Sequence, residues 1–519
     1  MKRSILRIVL ILAIPLSIAF YSCNDKVNDQ TGTPHDPTQE VKITWFDPDS
    51  GRVRNMVLID GVNFGNDPEI IKVFFNHMEA KVVGAEKNGT RILALVPRLP
   101  GDECLIKVYV GAKRVEDAEG GYHYEGGKYA DTKKLPPFRY KMAANVTTVA
   151  GNGSNDKVLN QGLDKAQFWP VYIGMDKDDN IFVTTSGGSD EFLRINVAQN
   201  VLQILGTYPQ HLLHNQCPPN VHPYTNVVMC GANGNNPKLR FIFLDPRDGW
   251  APKPQYIRSW KLYPEATQPT YTNSVTGQEN VVYQSYSEPS DETHYCCIWS
   301  IYPERPDDAE KTDENKTGWY YTRYNSGQIV RVDPLTWEAT VIGMTPAGCT
   351  YSIVFHPIRP WEMWLGAGSE GDMAPWQNSL VTLDVRDYGF EDIIDAGTGA
   401  RRRGIMSSAK RVSSPFVAGG HRDGLLSEAQ FKRIRQLGFD HDGNLYVGDC
   451  ENYCLRMVTT MSDPVMVSTV IGVPGKNGWK DGSPDEALFR QVHGIVTDKE
   501  GIVYLSDWNN GRIRRIAIE

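Results

Sequence analysis

Residues 467–516 read VSTVIGVPGKNGWKDGSPDEALFRQVHGIVTDKEGIVYLSDWNNGRIRRI, residues 415–458 read PFVAGGHRDGLLSEAQFKRIRQLGFDHDGNLYVGDCENYCLRMV, and residues 146–195 read VTTVAGNGSNDKVLNQGLDKAQFWPVYIGMDKDDNIFVTTSGGSDEFLRI. The order is shared: a V-x-T-V-x-G-like run, a polar loop, an apolar run, an aspartate with a turn, a second apolar run, a loop, and a strand carrying arginine. Asp440 and Asp498 are equivalent and 58 residues apart. Such self-similarity marks a repeat architecture. Asp442-Gly443-Asn444 favours a tight turn between twisted strands, so the apolar runs on either side of it form a β-hairpin.

These copies resemble the NHL repeat, whose pattern is an aspartate, a Gly-Asn-like turn, I/L-Y-V, a loop Asp-x-x-N and then R-I. The resemblance implies one propeller blade per copy, with the V-x-T-V-x-G run as its outer strand. Between the clear copies lie weaker ones: Arg240 to Asp245 as an inner part of a second blade, 318–322 with 328–332 as a third, and 352–357 with 361–365 as a fourth. This gives six blades over 145–519. The chain ends on a strand with nothing after it, and the repeats begin at an outer strand with no blade before it. Pairing these two strands closes the ring and removes two exposed edges.

Residues 41–125 instead alternate apolar and polar positions in short runs broken by turn signals, as a β-sandwich of about 85 residues does. Trp45-Phe46-Asp47-Pro48-Asp49-Ser50-Gly51 and Gly61-Val62-Asn63-Phe64-Gly65 resemble the IPT/TIG family of immunoglobulin-like domains, which in exported bacterial proteins act mainly as spacers. Residues 126–144 then read as a linker. The expected fold is all-β: an IPT/TIG sandwich followed by a six-bladed NHL-type propeller.

Lys2, Arg3 and Arg7 precede an apolar run from Ile8 to Phe20 that ends at Ser22-Cys23, which reads as an export leader over 1–22. It resembles a bacterial lipoprotein signal, implying that Cys23 is acylated and that the polar stretch 23–40 is a flexible tether. With 54 Lys and Arg against 62 Asp and Glu, a net charge of −8 disfavours binding to a nucleic-acid backbone. Cys450-x-x-x-Cys454 lacks a second pair at zinc spacing. No nucleophile elbow or phosphate-binding loop occurs.

In propellers of the NHL kind, the entries to the inner strands share one face with the loops between second and third strands, and ligands commonly use it. Counting back from the repeat aspartate places Tyr172, Tyr351, Arg435, Gln436 and His493 there; Trp376, Trp508 and Asn510 come from the loops. Aromatic faces and planar polar side chains suit sugars. Trp250, Trp260, Tyr263, Tyr271, Tyr283, Tyr286 and Trp479 add aromatic surface in loops. The same axial side chains could simply fill the channel and satisfy one another.

Sandwich, propeller and leader together resemble Bacteroidetes cell-envelope proteins associated with polysaccharide uptake. The resulting expectation is a non-catalytic, glycan-binding lipoprotein, lipid-anchored at the outer-membrane surface and requiring no cofactor or metal. It would hold oligo- or polysaccharide for a transporter or hydrolase partner, touching the membrane through its anchor alone. Two alternatives stay open. One is a metal-dependent lyase or hydrolase using His493 with His211, His214, His222 or His294; the other is an envelope scaffold for protein partners.

Overall fold

A computed structural model describes residues 32–518 except 117–121, 155, 157–161, 187–190, 208–216, 224, 232–239, 257–258, 262–269, 273–278, 282–297, 304–317, 324–327, 345–349, 369–375, 388–389, 395–400, 407 and 416–417. Cys23 and the leader therefore lie outside the described residues. Among those described, no helix is long and apolar enough to cross a membrane.

The N-terminal strands alternate as half-buried strands should. In Ile106–Val110 the side chains of Ile106, Val108 and Val110 are buried, while Lys107 and Tyr109 face outward. Seven strands lie side by side in the order Lys42–Asp47, Met56–Val62, Arg91–Leu95, Met78–Ala85, Ile71–Phe75, Ile106–Val110 and Lys128–Asp131. Phe46, Val57, Ile59, Phe64, Val73, Phe75 and Ile92 fill the core beneath them. Asn63 and Gly65 both take positive φ, and the Asn63 side chain bonds the backbone of Asp36, so this turn does structural work.

The segment expected to be a linker is part of the sandwich. Lys128–Asp131 pairs with Ile106–Val110, and Phe138–Tyr140 pairs with Ser50–Gly51 and Glu103–Cys104. One continuous core then runs from Phe138 and Tyr140 through Ala144 and Val146 into Ile516 and Ile518 of the propeller.

Seven sheets follow among the described residues: a two-stranded one of Thr270–Thr272 with Glu279–Val281, and six built around the inner strands Trp169–Met175, Asn220–Val221, Ile298–Pro303, Thr350–Phe355, Ile434–Phe439 and Val492–Thr497. These strands neighbour one another in chain order, and the last returns to the first. Ala144–Ala150 pairs antiparallel with Arg512–Ile518, so the two chain segments expected to close the ring do so. Arg240–Leu244, expected near the axis, is the third strand of its sheet.

Candidate functional site

Besides Ile298–Pro303, which slips between Ile298 and Ser300, four inner strands slip register near the axis: between Pro170 and Ile173, Thr350 and Ser352, Ile434 and Leu437, and Val492 and Ile495. A bulge re-aims the side chains at the slip. The residues at or beside these slips are the ones counted from the repeat: Tyr172, Tyr351, Arg435, Gln436 and His493.

Three rings form a stack. His493 lies 5.9 Å from Tyr172 at 29° and 4.6 Å from Trp508 at 34°. The Arg435 guanidinium carbon sits 3.9 Å above the Tyr351 ring, a cation–π contact out of water. The same positive charge faces the Tyr172 hydroxyl and the Cys450 thiol. Burial pushes Tyr172 up to about 12 and Cys450 up to about 11, with Arg435 acting against both shifts. Burial, reinforced by Arg435 and Arg433, holds His493 well below the usual histidine range, so its imidazole is neutral. Neither His493 ring nitrogen has a hydrogen-bond partner among the described residues.

The expected ring is gathered but closed. Tyr172, Tyr351, Arg435, Gln436 and His493 are each at most 5% exposed, so they plug the channel instead of lining an open mouth. Gln436 ties two blades across the axis, its Nε2 donating to the Ile173 carbonyl at 2.7 Å while its Oε1 accepts from Ile173 N at 3.3 Å. Trp508 caps the stack, with Nε1 donating to Ser186 Oγ at 2.8 Å. Asn510 donates to Asp507 Oδ2 and to the Gly478 carbonyl, both at 2.7 Å, which makes it an internal strap. Trp376 packs against the core shared by the third and fourth blades.

His222 is buried at the opposite end of the axis, its Nδ1 accepting from Thr225 N. His211, His214 and His294 lie outside the described residues. No group of three or more His, Cys, Asp or Glu among the described residues could hold a metal ion. Trp250 packs on Phe182 at 4.8 Å; Tyr263, Tyr283 and Tyr286 lie outside the described residues, as do the side chains of Trp260 and Tyr271. Cys104, Cys217, Cys230, Cys450 and Cys454 are buried free thiols.

The open space lies at the other end. A cavity of about 580 Å³ is bounded by all six inner strands or the turns that follow them, through Asp176, Asn220, Tyr302, Pro357, Gln436 and Thr497. Its wall mixes apolar surface from Phe439, Ile495 and prolines with planar amides, and Lys177, His441 and Lys499 also line it. The repeat aspartates face it but are committed to their own turns. Asp176 Oδ1 accepts from Asp178 N and Asn180 N, and Asp440 Oδ1 accepts from Asp442 N and Asn444 N. The repeat aspartate was the available signal for this end, and it reads in sequence only as a turn.

Residues 42–124 match the IPT/TIG domain model. No curated protein sequence matches the chain. Among solved structures, a protein of unknown function from Bacteroides thetaiotaomicron is 20% identical with a TM-score of 0.55, covering 94% of this chain and 100% of its own. An auxiliary nutrient binding protein from the same species is 19% identical with a TM-score of 0.48, covering 94% and 99%. Virginiamycin B lyase from Staphylococcus aureus is 10% identical with a TM-score of 0.37, covering 73% and 99%. The fold thus defines the class: an IPT/TIG sandwich joined to a β-propeller.

Proposed function

We propose that this chain is a cell-envelope protein, anchored through Cys23, that binds an oligosaccharide without transforming it and presents it to a transporter or hydrolase partner. One observation carries the reading: a cavity of about 580 Å³ on the propeller axis, bounded by residues of all six inner strands or the turns that follow them. Its size is that of a ligand pocket, and its wall combines apolar surface with many polar side chains, as a hydroxylated ligand requires. Lysines and aspartates both line it, which favours a neutral hydroxylated ligand over an ion. The Asp176 and Asp440 carboxylates, held by backbone N–H groups, are poorly placed for acid–base work. In this reading the ligand occupies this end of the axis and not the opposite mouth, with Gln436 as the floor of its site.

Isothermal titration of the full exported chain with a panel of neutral oligosaccharides tests the reading. Pro223, exposed and lining the cavity, is the position for a blocking substitution. Pro223→Trp should abolish the heat of binding while the melting temperature stays within a few degrees of wild type. Silence across the panel, or unchanged binding in Pro223→Trp, would count against it.

A further inference from the structure

On the face opposite the cavity, Trp479 is the one propeller tryptophan among the described residues with more than half its surface exposed, at 52%. Its backbone is pinned on both sides: Gly478 N donates to the Phe489 carbonyl at 3.0 Å and Lys480 N to the Leu488 carbonyl at 3.3 Å. Two residues on, Asp481 accepts from the buried Arg514 at 2.7 Å and from Thr148 N at 2.9 Å.

The ring is held as firmly. The Arg512 guanidinium carbon lies 4.0 Å from the indole centre, and Arg512 is fixed by the Asn510 carbonyl at 2.5 Å and the Asn152 carbonyl at 2.7 Å. One face of the indole rests on a fixed cation, and half of the residue's surface remains open to water. Rigid aromatic surface of this kind offers large contact area with little entropy left to lose on binding. The exposed residues beside it in the chain include the polar Lys476, Asn477 and Lys480, with Pro474 as the exposed apolar side chain, and Asn152, whose carbonyl holds Arg512, is exposed as well. A protein partner needs a broader apolar centre than one isolated indole. A pyranose needs one flat ring for its C–H face and neighbouring amides for its hydroxyls.

We infer that Trp479, backed by Arg512, is a second saccharide site on the propeller face away from the cavity, and that it takes a pyranose unit of a polysaccharide chain. It goes beyond the cavity reading and does not depend on it. Affinity electrophoresis of the full chain through gels containing xylan, galactomannan or mixed-linkage β-glucan provides the test. Wild type should be retarded in at least one gel, with Trp479→Ala binding about tenfold more weakly or more, Trp479→Phe keeping part of the retention, and all variants melting as wild type. Arg512→Gln, which frees the indole, should weaken retention less than Trp479→Ala. Pro223→Trp should keep the part of the retention that Trp479→Ala loses, and the double variant should lose both parts, which separates this site from the cavity. Retardation in none of the gels, or Trp479→Ala running as wild type, overturns the inference; if Pro223→Trp alone loses retention, the cavity reading stands and this one falls.

Discussion

Arg456 donates to Asp449 across 2.8 Å with both side chains fully shielded from solvent, and Arg514 repeats the contact with Asp507 at the same distance one blade later. Each arginine also reaches an aspartate of the preceding loop, Asp423 or Asp481, together with two backbone carbonyls. The repeated loop aspartate and strand arginine are thus the two ends of an internal brace, and Asn452 and Asn510 complete it by bonding the same aspartates.

Removing one end leaves a buried charge without its partner. Arg456→Leu should destabilise the propeller by about 3–5 kcal/mol in urea titration. Burial outweighs Arg456 and pushes the Asp449 carboxyl up to about 6. An acid raised in the folded state binds extra protons there, so lowering the pH from 7 to 5 should shrink the deficit of Arg456→Leu. A deficit that stays constant or grows over that range would contradict the brace.

Asn510 separates structure from binding. Its two strap bonds predict that Asn510→Ala lowers stability by roughly 1–3 kcal/mol, through the acceptors it leaves unpaired. Oligosaccharide affinity of the folded fraction should not change. A loss of affinity without loss of stability, measured by titration and melting on the same sample, would return Asn510 to the ligand site.

The repeats made the ring readable because each clear copy carries its own turn and its own apolar runs, and the last two also carry the brace. The unmatched outer strand at 146–150 and the unmatched final strand then specified closure. Periodicity also told which residues point at the axis, since a bulge at an equivalent place turns Tyr172, Arg435 and His493 inward. It carried no information on how wide the axis is there, and so whether those side chains meet ligand or each other. The second blade was misread at Arg240–Leu244 because its inner strand, Asn220–Val221, is two residues long, follows Pro218-Pro219, and is too short to alternate. The cavity was hidden for a related reason: its wall comes from six turns distant in sequence, and only three of them, at Asp176, Asp440 and Asp498, carry the repeat aspartate.

Arg98 predicts how the two domains hold together. From the sandwich it donates to the Gly501 carbonyl at 2.6 Å and the Ile518 carbonyl at 3.3 Å, and approaches Asp440 at 3.5 Å. Gly501 takes φ +77°, and a Cβ there would lie 2.2 Å from Arg98 Nη1. Arg98→Ala and Gly501→Ala should both loosen the docking: one thermal transition should separate into two, and the solution radius of gyration should rise. Wild-type scattering and a single transition in both variants would show that the shared apolar core suffices alone.

His77 gives that docking an acid limit. It sits in the sandwich beside Ser462 of the propeller, with Nδ1 3.4 Å from the Ser462 hydroxyl and Nε2 buried without a hydrogen-bond partner among the described residues. Burial, with Lys107 adding, lowers its pKa to about 4. The unfolded chain, with an ordinary histidine, takes up this proton near pH 6.5, whereas the folded chain resists until about 4. The group's contribution is therefore whole above pH 6.5 and is lost as the pH falls toward 4, by an amount on the order of 3 kcal/mol. His77→Gln has no proton to gain, so its stability should fall less steeply than wild type over that interval. Parallel acid dependence of the two proteins in urea titrations at pH 6.5, 5.5 and 4.5 would exclude His77 as the source, because a neutral side chain at the same contact cannot reproduce a titration.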